Sequence, residues 1–228
     1  MTAPRLLLIS SSNVHGYGYL DHPESEIRSF LTGRRKVAFV PFALQDRESY
    51  TTKVRDRFAL MDLDVIEVRG RAEIESAEAI FVGGGNTFRL LKALYDLGLL
   101  DMIRHRVRAG LPYIGSSAGS NIAAPTIKTT NDMPIVQPRS LDALGLVPYQ
   151  INPHYLDDEV STTHKGETRA QRLLEYLEEN SVPVVAIREG SMLRVETGVT
   201  TVLGLRAARI FRRGAEPVEV EPGNPIEL

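Results

Sequence analysis

The sequence predicts an α/β fold in which a parallel sheet is covered by helices on both faces. Short apolar segments alternate with longer amphipathic ones over most of the chain, and small-residue turns directly follow two of the apolar segments. Beyond residue 190 the pattern changes to short β segments separated by glycines. The alternation is typical of a parallel sheet, and the closely spaced end segments indicate an antiparallel extension. We expect residues 1–228 to form a single domain.

The elements are predicted in chain order from hydrophobic periodicity and from breaks at glycine and proline. Buried parallel strands are expected at residues 6–10, 36–41, 64–69, 79–82, 112–115 and 182–188. Helices are expected at 46–61, 87–97, 99–109 and 166–180; the first carries Tyr50, Val54, Phe58 and Met61 on one face. A short strand that a proline stops is expected at 149–153, and a long proline-rich loop at 122–150. The closing β segments are 191–197, 200–203, 207–212 and 217–220.

Composition excludes several classes of function. The 228 residues have a formal net charge of −2 and no basic block, which argues against nucleic acid as a partner. The apolar runs are too short to span a membrane, and the N-terminal one reads as a strand rather than a signal peptide. Cysteine is absent, which excludes disulfides, thiolate metal sites and a cysteine nucleophile, and suits the cytoplasm. The five histidines lack metal-ligand spacing, so we expect no metal and no other cofactor.

The most informative motif is Gly115-Ser116-Ser117-Ala118-Gly119, which fits G-x-S-x-G. An apolar strand precedes it and a helix start follows. A serine on such a turn has its hydroxyl pushed out of the backbone at the positive end of the helix dipole. Small neighbours allow the chain to double back and a substrate to approach. The motif predicts that Ser117 is a nucleophile.

The second motif is the glycine run at residues 83–85, followed by Asn86 and Thr87. It could be a tight turn that Asn86 or Thr87 caps, or a phosphate cradle. It could also supply backbone donors to an oxyanion hole together with the amide of Ala118. Ligands of open parallel sheets bind at the carboxyl ends of the strands. The third interpretation therefore explains both motifs with one site, in which we expect Gly84, Gly85 and Ala118 as donors.

A serine nucleophile needs a base, and the base needs an acid that orients it. His154 is the preferred base because it follows a short strand and a proline at the end of an element. His15, His22, His105 and His164 have no comparable context. Asp132 in the long loop and Glu189 at the end of a strand are the candidate acids. We favour Glu189 because a rigid strand holds it, and expect Asp132 nearby.

Five segments in one order give the chain a family resemblance: G-G-G-N-T-F at 83–88, G-S-S-A-G-S-N at 115–121, T-I-K-T-T-N-D-M-P-I-V at 126–136, Q-I-N-P-H-Y at 150–155 and H-K-G-E-T-R-A-Q-R at 164–172. The chain resembles the peptidase E family of α-aspartyl dipeptidases. The resemblance implies a flavodoxin-like sheet related to class I glutamine amidotransferases, and a single α/β peptidase domain. Ser116 departs from it, since the family often has Trp there, and a change in the pocket wall is the expected effect.

The resemblance also implies a function and roles. It implies metal-free hydrolysis of dipeptides with an N-terminal aspartate, with Ser117 as nucleophile and His154 as base. Both Asp132 and Glu189 match positions to which the family's acid has been assigned. Arg169 matches a residue that binds the aspartyl side chain, and Asn86 is a further expected substrate-binding residue. The alternatives are a cyanophycinase-like hydrolase of β-aspartyl linkages and a non-catalytic module that binds an anionic metabolite. We expect small dipeptide substrates and leave open a homodimer.

Overall fold

The computed structural model describes residues 3–157 and 166–228. Its main sheet has seven strands, of which five adjacent ones are parallel and the two at one edge pair antiparallel. A second sheet has four strands, two of which pair in parallel. The predicted α/β class, with its β-rich C-terminal extension, is confirmed.

The strands and helices have the following bounds. The strands are β1 Leu6–Ile9, β2 Lys36–Val40, β3 Asp64–Glu67, β4 Ala79–Val82, β5 Tyr113–Ser116, β6 Gln150–Tyr155, β7 Val184–Arg188, β8 Ser191–Glu196, β9 Val199–Gly204, β10 Ala208–Phe211 and β11 Val218–Val220. The helices are α1 Glu24–Phe30, α2 Arg47–Ala59, α3 Arg71–Glu75, α4 Thr87–Asp96, α5 Leu100–Arg108, α6 Ala118–Asn121 and α7 Arg169–Glu179. The strand order is β3-β2-β4-β5-β1-β8-β9 in the main sheet and β11-β10-β7-β6 in the second sheet, where β6 and β7 are parallel. In the described part of the chain, no helix is both long and apolar enough to cross a bilayer.

Alternate residues of the central strands pack into two separate cores, because successive strand side chains point to opposite faces. Leu6 and Leu8 of β1 lie in one core with the apolar residues of α4 and α5. Leu7 and Ile9 lie in the other core, with the apolar residues of α1 and α2. Helices therefore cover both faces of the main sheet, as the alternation predicts.

The structure differs from the sequence prediction in three respects. The short helices α1 and α3 were not predicted. The strand at Val184–Arg188 belongs to the second sheet rather than to the main one. Pro153 does not end its strand: β6 continues to Tyr155, with an irregularity in its register between Pro153 and Tyr155. Proline is tolerated there because β6 is an edge strand of the second sheet.

An arginine at the end of β7 joins three parts of the second sheet through ion pairs. Arg188 donates to both carboxylate oxygens of Asp157, at 2.7 and 2.6 Å, and to those of Glu219, at 2.7 and 3.0 Å. These ion pairs raise the pKa of Arg188 above its ordinary value. They also tie the segment after β6 to β7 and β11.

Close packing between α6 and β4 predicts a marked effect for Gly119→Ala. A Cβ at Gly119 would clash with the carbonyl oxygen of Val82, which is backbone and cannot rotate away. Overpacking of this kind typically costs about 1–3 kcal/mol. We expect the thermal midpoint to fall by several degrees, as measured by calorimetry.

The control for this substitution is Gly70→Ala. Gly70 has an extended backbone, and its nearest heavy atom would lie 4.0 Å from the new Cβ. It precedes α3, so a loss of up to about 1 kcal/mol in helix capping is expected. Equal midpoints for the two variants would contradict the importance of the close approach at Gly119.

Candidate active site

Ser117 lies on a strained turn between β5 and α6. Its backbone has φ 53° and ψ −110°, a conformation that costs a non-glycine residue free energy and persists only where the surroundings hold it. Its amide donates to the Ile9 carbonyl at 3.0 Å, and its carbonyl accepts from Ser120 and Asn121, both at 2.9 Å. The turn thereby presents the Ser117 side chain at the carboxyl end of the parallel strands, as G-x-S-x-G predicts.

The two neighbouring serines have other surroundings. The Ser120 hydroxyl is buried and lies 2.7 Å from the Ile9 carbonyl oxygen and 2.9 Å from that of Gly115, so it braces the turn. Ser116 is fully buried, and among the described residues its hydroxyl has no hydrogen-bond partner. Ser116 does not line the cleft that contains Ser117. The sequence analysis expects Ser116 to change the wall of the pocket, but Ser116 is not among the described residues that line this cleft.

His154 reaches Ser117 because β6 is irregular at that point. His154 has a positive φ of 55°, and its amide donates to the Ser10 hydroxyl at 2.9 Å. That hydroxyl donates in turn to the carbonyl of Ile187 on β7 at 2.8 Å. The imidazole Nε2 lies 2.8 Å from Ser117 Oγ, within hydrogen-bonding distance.

Glu189 lies on the other side of the imidazole. Its Oε1 is 2.8 Å from His154 Nδ1. With the ring hydrogen on Nδ1, the imidazole donates to Glu189 and accepts the Ser117 hydroxyl at Nε2. The side chains of His154 and Glu189 are 36% and 45% exposed, so solvent reaches the pair. A hydroxyl, an imidazole and a carboxylate in this order can perform acyl transfer.

Asp132 lies at the N-terminus of α4 instead of at the imidazole. Its Oδ2 accepts from the amide of Thr87 at 2.7 Å and from the Thr87 hydroxyl at 2.6 Å. The positive end of the helix dipole favours a carboxylate there. Asp132 nevertheless lines the cleft beside Ser117 and His154. Its position agrees with the expectation of an acid nearby that does not orient the histidine.

Asn86 is occupied by structural contacts. Its Oδ1 accepts from the Arg89 amide at 3.0 Å as the N-cap of α4, and its Nδ2 donates to the Met133 carbonyl at 2.9 Å. The cap interpretation of the glycine motif is thus correct for Asn86. Both polar side-chain atoms are engaged, so the structure offers no support for the expected substrate contact.

The glycine loop lies beside the nucleophile, but one of its amides is already occupied. A Cβ at Gly84 would lie 3.0 Å from Ser117 Cβ, so only glycine permits this approach without a shift. The Gly84 amide donates to the Tyr50 hydroxyl at 2.9 Å, which corrects its expected role as an oxyanion donor. Within the described residues, the amides of Gly85 and Ala118 have no acceptor. These two remain as the candidate donors.

The cleft that contains Ser117 has a volume of about 590 Å³. Besides the glycine loop, its walls come from the segment after β1 and from α2: Ser11, Ser12, Asn13, Tyr19, Asp46, Ser49, Tyr50 and Lys53. Burial raises the pKa values of Tyr19 and Tyr50, so both hydroxyls stay neutral. The sequence prediction missed these residues, and it assigned Tyr50 only to the core face of a helix.

Arg169 is the first residue of α7 and lies in an adjoining cavity of about 220 Å³. Asp132 lines both cavities, whereas Arg169 lines only the smaller one. Its guanidinium donates to Asn131 Oδ1 at 2.8 Å, and Asn131 Nδ2 donates to the Pro153 carbonyl beside His154 at 2.7 Å. Burial lowers the pKa of Arg169, and Arg172 lowers it further. In the described part of the chain, Arg169 forms no ion pair.

Among the described histidines, only His154 lines the cleft. His15 and His105 are exposed, and burial lowers the pKa of His22 to about 4. His164, with part of the motif at 164–172, lies outside the described residues. Residues 3–157 and 166–228 contain no group of three or more metal-ligating side chains.

Residues 6–203 match the profile of Peptidase family S51. The chain belongs to this family. It is 53% identical to "Peptidase E" of Streptomyces coelicolor over 225 residues, covering 97% of this chain and 93% of the relative. It is 46% identical to "Probable alpha-aspartyl dipeptidase" of Drosophila melanogaster over 228 residues, covering 97% and 95% of the two chains. The crystal structure of a peptidase from an acI-B1 Actinobacterium has a TM-score of 0.73 at 18% identity and shares the fold, covering 100% of this chain and 98% of that one.

Substitutions of Glu189 and Asp132 should have different kinetic effects in this member of family S51. Glu189→Gln keeps the shape but removes the charge beside Nδ1, so kcat should fall by about 10³-fold or more, by analogy with other serine peptidases. Asp132→Asn should mainly raise KM, because its carboxylate lines the cleft without touching the imidazole. Steady-state kinetics on Asp-Leu measure both.

Thermal midpoints of both variants serve as the control. Glu189 makes its described contact only with His154, so its substitution should leave the midpoint close to that of the wild type. The assignment would be reversed if Asp132→Asn lost kcat and Glu189→Gln kept it.

Proposed function

We propose that the chain is a serine dipeptidase that hydrolyses dipeptides with an N-terminal aspartate through an acyl-enzyme. The observation that carries the proposal is the pair of 2.8 Å contacts that His154 makes, one to Ser117 Oγ and one to Glu189 Oε1. Membership of family S51 and relatives named Peptidase E and alpha-aspartyl dipeptidase support the substrate class. The absence of cysteine supports a cytoplasmic location.

In the acylation step, His154 Nε2 takes the Ser117 proton while Oγ attacks the carbonyl carbon of the aspartyl residue. The amides of Gly85 and Ala118 donate to the oxyanion that forms. Glu189 holds the ring orientation and stabilises the imidazolium. The C–N bond then breaks, and Nε2 returns the proton to the leaving amine, which departs as the second amino acid.

In the deacylation step, a water molecule loses its proton to Nε2 and attacks the acyl carbon. The C–Oγ bond breaks, Ser117 regains the proton, and free aspartate leaves. Every proton transfer passes through one imidazole nitrogen, and the 2.8 Å distance between His154 Nε2 and Ser117 Oγ supports this route. The chemistry therefore needs no cofactor.

Substrate recognition requires a cation for the aspartyl side chain and an anion for the α-ammonium group. Arg169 is the proposed cation, because a guanidinium binds a carboxylate bidentately and it forms no ion pair among the described residues. Asp132 is the proposed anion, because it lines both the cleft of Ser117 and the cavity of Arg169.

Two alternatives make different predictions. A non-catalytic binding module has no need for a serine, a histidine and a carboxylate at hydrogen-bonding distance, so the geometry disfavours it. A hydrolase of β-aspartyl linkages would use the same groups. Release of aspartate from α-linked Asp-Leu, but not from β-linked Asp-Leu, separates that alternative from the proposed function.

Ser117→Ala tests the nucleophile. Activity on Asp-Leu should fall by at least about 10⁴-fold, because an alanine cannot form the acyl-enzyme. The thermal midpoint should stay near that of the wild type. Chromatographic measurement of the released aspartate gives the loss of activity.

Ser116→Ala is the matched control. The Ser116 hydroxyl is buried without a partner among the described residues, so its removal should leave the rate within a few-fold. Substantial activity in Ser117→Ala would contradict a mechanism in which Ser117 is the nucleophile.

Arg169→Met tests the aspartyl subsite. Methionine keeps much of the side-chain stem but deletes the charge, so the bound carboxylate loses its partner at a cost of roughly 2–5 kcal/mol. The value of kcat/KM on Asp-Leu should fall by about one and a half to three and a half orders of magnitude. Hydrolysis of Asn-Leu should fall much less.

Equal losses on Asp-Leu and Asn-Leu would give Arg169 a different role. Asn131 joins Arg169 to the backbone beside His154, so such a result would mean that Arg169 supports the histidine.

A further inference from the structure

One face of α2 forms a wall of the catalytic cleft, and Lys53 lies on that face. Its ammonium is 4.2 Å from the centroid of the Tyr19 ring, within the range of a cation–π contact. Lys53 is exposed, and in the described part of the chain it forms no ion pair. An exposed ammonium without a carboxylate partner is available to an anion that enters the cleft.

The position of Lys53 relative to Ser117 follows from Tyr50. The two residues are three apart on α2, which puts them on the same face about one turn from each other. The Tyr50 hydroxyl accepts from the amide of Gly84, and Gly84 lies directly against Ser117. Lys53 is therefore one helical turn from a side chain that touches the glycine loop, and its long flexible stem can extend into the cleft.

The charges of the cleft distinguish Lys53 from the other groups there. The remaining ionisable side chains that line it, apart from its two tyrosines, are the carboxylates of Asp46 and Asp132 and the imidazole of His154. Asp46 caps α2 by accepting from the Ser49 amide at 3.0 Å. Among the described residues, Lys53 is thus the one lysine or arginine in the lining of this cleft, because Arg169 lies in the adjoining cavity.

A dipeptide brings two carboxylates to this site. Their positions rest on the proposed function, in which Ser117 Oγ attacks the carbonyl carbon of the aspartyl residue. Beyond that carbonyl, the chain continues through one nitrogen and one Cα to the C-terminal carboxylate, whose carbon lies only about 3–4 Å away. The second carboxylate therefore stays inside the cleft, where it must be desolvated and needs a cation.

We infer that Lys53 binds the C-terminal carboxylate of the substrate's second residue. Arg169 and Lys53 then serve two different carboxylates from two adjoining cavities. This subsite explains a preference for dipeptides: a longer peptide or a C-terminal amide has no charge at the position that Lys53 reaches. The side chain of the second residue does not enter the contact.

The test compares Asp-Leu with Asp-Leu amide, which lacks the terminal charge, in the wild type and in Lys53→Met. The wild type should prefer Asp-Leu by roughly ten- to hundredfold in kcat/KM, the range expected for a hydrogen bond to a charged group. In Lys53→Met this preference should shrink to within about threefold, through a loss on Asp-Leu alone. Lys53→Arg should retain most of the preference.

Arg55→Met is the matched control. It removes one positive charge from the same helix, but Arg55 lines a different cavity, with Arg47 and Arg69, and not the cleft of Ser117. Its preference for Asp-Leu over the amide should equal that of the wild type. A loss of preference in this control would mean that the effect reports the overall charge of α2, and would overturn the inference.

Three other results would also overturn the subsite. Equal losses on both substrates in Lys53→Met would mean that Lys53 only supports the cleft wall through Tyr19. Lys53→Met could instead change the ratio of the kcat/KM values for Asp-Leu and Asn-Leu while the ratio for Asp-Leu and its amide stays unchanged. That result would assign Lys53 to the aspartyl side chain. A wild type that cleaves the acid and the amide equally would leave the proposed function intact and remove the subsite.

A binding measurement tests the proposed Lys53 subsite independently of catalysis. Calorimetric titration of Ser117→Ala with Asp-Leu and with its amide measures the carboxylate preference without turnover. If the wild type cleaves neither substrate, the proposed function fails, and the titration still decides whether Lys53 selects a carboxylate. Equal affinities in Ser117→Ala would overturn the inference.

Discussion

The arrangement of the site depends on one buried hydroxyl between the two sheets. Ser10 follows β1 of the main sheet and is fully buried. It donates to the Ile187 carbonyl on β7 and accepts from the His154 amide on β6. The adjacent Ile9 carbonyl accepts from the amide of Ser117. The end of β1 therefore contacts the turn of Ser117 through Ile9. Through Ser10 it also contacts β6, which carries His154, and β7, which Glu189 follows.

Both reacting residues are held in backbone conformations that non-glycine residues rarely adopt. Ser117 and His154 have φ values of 53° and 55°. The first is fixed by the close packing of α6 on β4, and the second by the irregular register of β6. Such strain is stable only when the surrounding contacts determine it. Here those contacts include the hydrogen bonds from the Ser117 amide to the Ile9 carbonyl and from the His154 amide to the Ser10 hydroxyl. Two rigid elements therefore bring the hydroxyl and the imidazole to 2.8 Å without relying on a flexible loop.

Competition for hydrogen bonds decides which groups around Ser117 are free for a substrate. The Gly84 amide is occupied by Tyr50, and Asn86 is occupied as a cap, so neither is free. Gly85 and Ala118 keep unused amides in the described structure. Asp132 uses one carboxylate oxygen to bind Thr87 at the start of α4, which fixes a negative charge at the border of two cavities. The same contacts that stabilise the elements thus select the groups that can bind a ligand.

The sequence by itself determined the features that depend on local chemistry. The strand and helix alternation, the turn at Ser117 and the long proline-rich loop follow from periodicity and from small or cyclic residues within short windows. The sequence favoured Glu189 over Asp132 because the end of a strand holds it, but only the tertiary structure decided that the Glu189 carboxylate lies 2.8 Å from His154 Nδ1 while that of Asp132 binds Thr87. The tertiary structure also decided that β6 and β7 form a second sheet, and that Lys53 shares a cleft with Ser117. These outcomes depend on strand pairing and packing between residues distant in sequence, which no local pattern encodes.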